Sequence, residues 1–344
     1  MTSGAVLASV MLIISQVPGD DPNAIIVWAE NAPADSVLTL HLVDQSTDEM
    51  GPAMFAKVEQ EGERLKLTPS FKLSPGSMYR AVIQSKGGKV LSIQDYVTPS
   101  LGGPPPKLTE VYPRSKKLPA NLLKFYLYFD QPMREGREIF DQIHIEDASG
   151  QRVHAPWRRL ELWNADATRL TLWIHPGRIK RVVNLREQLG PVLVPGKYYT
   201  LVIEKSVRSA KGIPFGEDQR HTFFTLPEDH ERPLPQTWER QDVIAGTRLP
   251  LEVISPDPLD HALVPRYVKI YRKGKPVQTT FSLGEQDNQF SLFPCKPWEP
   301  VEYEMRVGKQ LEDLAGNTPE RVFDTDLSAP EEIPAQLVIP FRGK

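Results

Sequence analysis

The sequence predicts an all-β protein, a tandem array of β-sandwich modules joined by Pro-rich linkers. Three observations carry that expectation. First, a tyrosine-centred turn-and-strand signature recurs: Pro75-Gly76-Ser77-Met78-Tyr79-Arg80-Ala81-Val82-Ile83, then Pro195-Gly196-Lys197-Tyr198-Tyr199-Thr200-Leu201-Val202-Ile203. A degenerate third copy reads Pro300-Val301-Glu302-Tyr303-Glu304-Met305-Arg306-Val307. Repetition at roughly domain spacing signals modules rather than one large fold. Second, 344 residues are too many for one small core and suit about two to three domains. Third, 33 prolines and 22 glycines interrupt long helices but suit short strands joined by turns.

The elements follow in chain order. Residues 1–19 read as an export signal, because the apolar run Ala5–Ile14 has the length of a signal core and is too short for a membrane span. No Lys or Arg precedes the run, and a first strand of the first module is the alternative. The first module covers 20–100, with strands expected at Ser36–Val43, Arg64–Leu67 and around Tyr79. Pro99–Lys107 is an extended, semi-rigid linker. The second module spans 105–226. Leu123, Phe125, Leu127 and Phe129 alternate with Lys124, Tyr126 and Tyr128, the period of a strand with one buried face. Further strands are expected at Ile143–Glu146, Arg169–Ile174, around Tyr199 and at His221–Thr225.

Leu172 and Tyr199 are 27 positions apart, whereas Leu67–Tyr79 and Leu292–Tyr303 are 12 and 11. The second module therefore carries an insertion within 175–194, rich in Arg and Lys, with a short helix expected over Val182–Leu189. A second linker, Pro227–Gln236, leads to a third module over 236–328. There Leu249–Ile254, Tyr267–Tyr271 and Phe290–Phe293 precede the Tyr303 strand, and Arg321–Asp324 closes. Residues 329–344, with Pro330, Pro334 and Pro340, read as a tail.

At these residues the chain resembles the bacterial Ig-like domain of the SbsA type. Phe129-Asp130-Gln131-Pro132-Met133 is similar to that family's strand end, and Pro195-Gly196 with Tyr199-Thr200-Leu201 to its tyrosine strand. Val207–Gly212 and Leu311-Glu312-Asp313-Leu314-Ala315-Gly316-Asn317 resemble its late turn. The resemblance is good over 105–226, fair over 240–327 and weak over 20–100, where the Pro-Met element and the late turn are missing. It implies secreted or cell-surface Ig-like modules. The repeated Tyr then sits like the tyrosine corner of Ig sandwiches, its hydroxyl bonding backbone across a turn. Asp313 and Asn317 suit a tight turn rather than a metal site.

Composition excludes some chemistry. The net charge is −3, which exerts no global pull toward nucleic acid. The single cysteine, Cys295, rules out an intramolecular disulfide and a Cys-rich metal site, and is expected at a partly buried strand end. No His pair, nucleophile elbow or phosphate-binding glycine pattern occurs. Asp257, Asp260 and His261 lie close in sequence, but no nucleophile accompanies them, so they read as a polar loop. We therefore expect no catalytic residues, no cofactor and no metal.

The candidate binding residues are aromatic and basic. If Phe125, Leu127 and Phe129 point inward, then Tyr126 and Tyr128 point outward; Trp173 and Tyr198 follow by the same alternation. With Arg178, Lys180 and Arg181 of the insertion they could bind sugar rings or a polypeptide. Two other fates are open to them: cover by the folded-back insertion, or cover by a neighbouring module. The expected function is a non-enzymatic secreted or cell-envelope protein acting in spacing, adhesion or protein interaction. A carbohydrate- or protein-binding module is the alternative. Partners would be an envelope or extracellular protein or glycan, with no nucleic acid and no integral membrane segment.

Overall fold

A computed structural model describes residues 9–19, 21–45, 47–180, 184–284, 287–324 and 337–344. The chain is nearly all-β, built as three β-sandwiches. The first comprises β1 (Met11–Gln16), β2 (Ile25–Glu30), β3 (Val37–Val43), β4 (Met50–Ala53), β5 (Ala56–Glu61), β6 (Arg64–Pro69), β7 (Met78–Gln84) and β8 (Val90–Val97). They form two sheets, β1-β2-β6-β5 and β4-β3-β7-β8. Period-2 alternation turns Val27 and Ala29 of β2, Leu40 of β3, Leu67 of β6 and Ala81 of β7 into a shared core. Met11–Gln16 pairs along its whole length with β2. The last four residues of the apolar run read as an export signal thus lie in a strand, the alternative given above; residues 1–8 lie outside the described residues.

The second sandwich comprises β9 (Leu108–Tyr112), β10 (Lys117–Pro119), β11 (Lys124–Phe129), α1 (Ile139–Gln142), β12 (Ile143–Asp147), β13 (Arg169–Trp173), α2 (Pro176–Ile179), α3 (Asn184–Leu189), β14 (Tyr198–Ile203) and β15 (Gln219–Leu226). Its sheets are β13-β11-β9 and β10-β15-β14-β12. One N-terminal segment therefore serves both sheets: β9 pairs with β11, and β10 runs parallel to β15. Phe125, Leu127, Leu170, Leu172, Leu201 and Phe223 are buried between the sheets.

The third sandwich comprises β16 (Glu239–Arg240), β17 (Leu251–Ile254), α4 (Val264–Tyr267), β18 (Val268–Arg272), β19 (Lys275–Val277), β20 (Thr279–Leu283), β21 (Gln289–Pro294), β22 (Glu302–Val307) and β23 (Val338–Arg342). Its sheets, β16-β17-β21-β20 and β19-β18-β22-β23, repeat the first sandwich's order. The assigned tail is corrected here. Residues 338–342 pair antiparallel with β22, and Ile339 and Phe341 enter the core, Phe341 stacked 5.4 Å from Tyr303. Pro340 disguises the strand in the sequence. It is tolerated because β23 is an edge strand, where a missing N–H need not break the ladder. Cys295, just after β21, is exposed rather than partly buried.

The repeated tyrosines perform one task three times. Each hydroxyl accepts a backbone N–H from a few residues upstream: Tyr79 from Ser74 at 2.8 Å, Tyr199 from Val194 at 3.1 Å, Tyr303 from Glu299 at 2.8 Å. Each ring is buried while its polar tip satisfies a loop donor.

The backbone divides into two compact units. The first holds Met1–Lys107 with Gln131–Glu138 and Lys205–Glu217; the second holds Leu108–Asp130, Ile139–Glu204 and Asp218–Lys344. Within the first unit, Met133 is buried and bridges Ser209. The late turn closes there as Gly212 N–H bonds the Ser209 carbonyl at 2.8 Å, and Leu101 N–H bonds the Lys211 carbonyl at 2.9 Å. The second and third sandwiches, apart from the loops named, share the second unit.

Candidate functional site

Strand β11 decides where the chemistry-bearing residues go. Its apolar residues fill the second sandwich, so Lys124, Tyr126 and Tyr128 stand on the outer face. That face does not meet solvent. The loop Ser255–Leu263 of the third sandwich and the turn after Leu311 cover it, leaving Lys124 and Tyr126 buried. Lys124 Nζ lies 2.8 Å from Asp260 Oδ2 and 2.6 Å from Glu312 Oε2. Tyr126 donates to the same Asp260 oxygen at 2.7 Å. Asp260 Oδ1 accepts the Ala262 N–H at 3.0 Å. Tyr128 OH meets His261 Nε2 at 3.0 Å, and the imidazole stacks on Tyr112 with centroids 3.6 Å apart.

Flanking bonds extend this joint. Asp287 Oδ2 accepts the N–H groups of Arg114 and Ser115 at 2.7 and 3.1 Å. Leu123 N–H donates to the Leu314 carbonyl at 2.9 Å. The second linker is stitched down: Asn121 exchanges hydrogen bonds of 2.7 and 2.8 Å with the Asp229 backbone. Asn317 Nδ2 donates to the Asp229 carbonyl at 3.2 Å and to Asp313 Oδ2 at 2.8 Å. Asp313 Oδ1 in turn accepts the N–H groups of Ala315 and Asn317 at 2.8 and 2.9 Å. This is the tight-turn chemistry the sequence suggested for these two residues.

Electrostatics follow from burial. Desolvation disfavours the Lys124 ammonium, but Asp260 and Glu312 outweigh it and carry its pKa above the ordinary value. Burial pushes the His261 pKa down to about 4, with Arg169 and Arg114 adding to the effect and Asp260 opposing it. The imidazole is therefore neutral at pH 7 and suited to stacking. Burial raises the carboxyls of Asp287 and Asp313, and Asp229 lifts Asp313 further.

The joint leaves a cavity of only about 10 Å³, walled by Lys124, Tyr126, Asp260, His261, Asp287 and Asp313. That is room for one water and no organic substrate. The carboxylates facing Lys124 are already bonded. Among the described residues, no group of three or more His, Cys, Asp or Glu side chains is placed to hold a metal ion. The arrangement can hold two modules together; it offers no room for turnover.

The residues expected to bind a ligand are dispersed. Tyr126 is buried in the joint and Tyr128 is partly covered by His261, so their cover is the neighbouring module. Trp173 is half-buried beneath Lys124 and Arg158, whose charged groups lie 5.7 and 5.5 Å from its ring. Tyr198 is 59% exposed and packs on Phe224, its cross-strand partner on β15, in the sheet that does not contain β11. Arg178 is buried rather than displayed: it bonds the carbonyls of His154, Ala155, Leu189, Gly190 and Pro191, and so pins the insertion together. Lys180 is exposed, 5.0 Å from the Phe323 ring. Arg181 lies outside the described residues. Sequence reasoning met Asp260 and His261 only as a polar loop and missed Lys124, Glu312 and Asp287. One signal was present: a lysine alternating with two tyrosines on an otherwise apolar strand.

No family model matches the chain, and no curated protein matches it. Solved structures do. A chimeric titin Z1Z2 carrying a peptide from decorin matches at 11% identity over 64% of this chain and 99% of that one, with a TM-score of 0.22. The FN1–FN3 domains of chicken CNTN1 match at 12% identity over 97% of each chain, with a TM-score of 0.21.

Proposed function

We propose that the chain is a non-enzymatic Ig-like protein of the SbsA type that works as a rigid spacer and interaction module, outside the cytoplasm. One observation carries this reading. A buried set of ionisable side chains, Lys124, Asp260 and Glu312, is spent on locking the second sandwich to the third, around a cavity too small for a substrate. A fixed joint of this kind suits a protein whose task is to hold surfaces at a set distance and angle. The F-D-Q-P-M strand end and the two late turns support the SbsA-type assignment. Among the described residues no helix is long and apolar enough to cross a membrane.

Cell fractionation with N-terminal sequencing of the native protein tests the location. Recovery from the envelope or medium supports export, and an intact Met1 in the cytoplasm overturns it. A mature start near 17–22 would remove β1, so the same experiment decides whether the working first sandwich retains that strand. Small-angle scattering tests the spacer role: one fixed angle between the second and third sandwiches is expected, and a broad distribution of angles sinks it.

A further inference from the structure

The last strand of the third sandwich is tethered differently from its counterpart in the first. In both sandwiches a strand completes the sheet beside the corner tyrosine: β8 beside β7, and β23 beside β22. Residues 85–89 join the first pair, whereas residues 308–337 join the second. The early part of the longer connection is pinned. Leu311 is buried in the third core, Asp313 and Asn317 close their turn, and the Phe323 N–H bonds Asn317 Oδ1 at 2.9 Å. From Asp324 to Val338 the contour of the chain is at most roughly 50 Å. A module of about 100 residues has a radius of gyration of only about 13 Å. The tether is therefore long enough to carry β23 past its own sandwich to that of an adjacent copy.

The edge of β22 is selective for this strand. Ile339 and Phe341 are buried in the third core, and Phe341 stacks on Tyr303 and meets Trp298 edge-on with centroids 5.9 Å apart. At position 343 only glycine fits, because a Cβ there would collide with the Glu299 carbonyl. The Gly343 N–H bonds the Val301 carbonyl at 3.0 Å, and the Lys344 N–H bonds that of Val243 at 2.9 Å. Asp242 accepts the Arg342 N–H at 2.8 Å and holds the Lys344 ammonium at 2.8 Å. The edge thus reads isoleucine, phenylalanine and glycine at alternate positions, with a cation beside them. That combination is the chain's own β23, and a second copy carries it by construction.

We propose that the edge of β22 is a strand-acceptor site for a second copy of this chain: two copies exchange their last strands, and each β23 completes the other's third sandwich. Every contact of the closed monomer is then remade between chains. The exchange costs little beyond the entropy of bringing two copies together. β23 can leave without unthreading the fold, because it is the edge of its sheet and the last strand in chain order. Within one chain the tether supplies the strand at an effective concentration of about 1 mM. The monomer therefore prevails in dilute solution, and exchange sets in as the protein concentration approaches that value. The inference goes beyond the spacer reading and stands without it.

The test uses the full chain carrying Cys295→Ser, Glu302→Cys and Arg342→Cys. Residues 302 and 342 face each other across β22 and β23 and are both exposed, so a disulfide between them reports which chain supplied the strand. Refolding at about 10 μM followed by oxidation should give monomers closed on themselves. Refolding at about 1 mM should give disulfide-linked dimers, seen as a doubled mass on a non-reducing gel. The unsubstituted chain, kept in reductant and refolded at the same two concentrations, should show the same doubling by light scattering. That second measurement guards against stray oxidation and against misfolding of the triple variant. Monomer alone at both concentrations overturns the proposal. So does a dimer that still forms once the 302–342 disulfide has locked β23 within its own chain, since the interface then lies elsewhere.

Discussion

Lys124 sits where a cation survives only in company. Removing its charge leaves Asp260 and Glu312 facing each other in a dry joint, and breaking a buried pair from one side costs about 3–5 kcal/mol. Lys124→Met should therefore lower unfolding free energy by about that amount in urea titrations. Adding Asp260→Asn should recover part of the loss, because the stranded charge is gone; strict additivity would show that the pair is uncoupled. His261 sets a pH dependence. Its folded pKa of about 4 lies below its ordinary value, so between about pH 6.5 and 4 the unfolded chain binds more protons. Stability contributed by the neutral ring is present above that window and is lost as pH falls through it. Asp287 and Asp313, with raised pKa values, act in the opposite sense, losing their contribution as pH rises. The comparison that isolates the imidazole is thus His261→Gln against wild type: the variant's melting temperature should fall less steeply from pH 7 to 4.5. A third residue-scale outcome concerns the corner. Tyr303→Phe leaves the Glu299 N–H without its partner and should cost about 1 kcal/mol by chemical denaturation.

At the scale of elements, the two late turns show what glycine is for. Gly212 has φ of +80°, and a Cβ there would come within 2.4 Å of the Pro75 carbonyl oxygen. Gly212→Ala should destabilise the first unit by about 1–3 kcal/mol, seen as earlier exchange of its amides. Most strands were legible because one face of each is buried, so the period of two is written into Phe125, Leu127 and Leu170, Leu172. The corner tyrosines were legible because their task needs a fixed turn and a fixed residue. β23 was not: with Pro340 in its middle, it lacks the pattern that a central strand displays. The joint was not legible either. Alternation says that Tyr126 and Tyr128 leave the core of their own sandwich, but nothing local says what they meet. The Asp260 loop lies more than a hundred positions away, and no periodicity links the two. Arg178 misled for a related reason, since a cation that binds five loop carbonyls looks in sequence like one that faces solvent.

For the whole molecule, the joint predicts shared cooperativity. The second and third sandwiches exchange bonds through Leu123, Lys124, Tyr126 and Asp287, so calorimetry of the full chain should show them melting in one transition. Lys124→Met should split that transition in two; separate transitions already in the wild type would mean the joint carries little energy.

The position of β23 has a consequence for synthesis. Strand β22 leaves the ribosome well before the strand that completes its sheet, with the turn at Asp313 and residues 325–336 in between. Until residue 342 emerges, Tyr303 lacks the Phe341 ring it stacks on, and the third sandwich cannot close its core. The second sandwich is finished at Leu226, long before, yet its outer face waits for the Asp260 loop to settle. The nascent chain should therefore pass through a stage in which one module is folded, the next is open, and a lysine with two tyrosines stands bare between them.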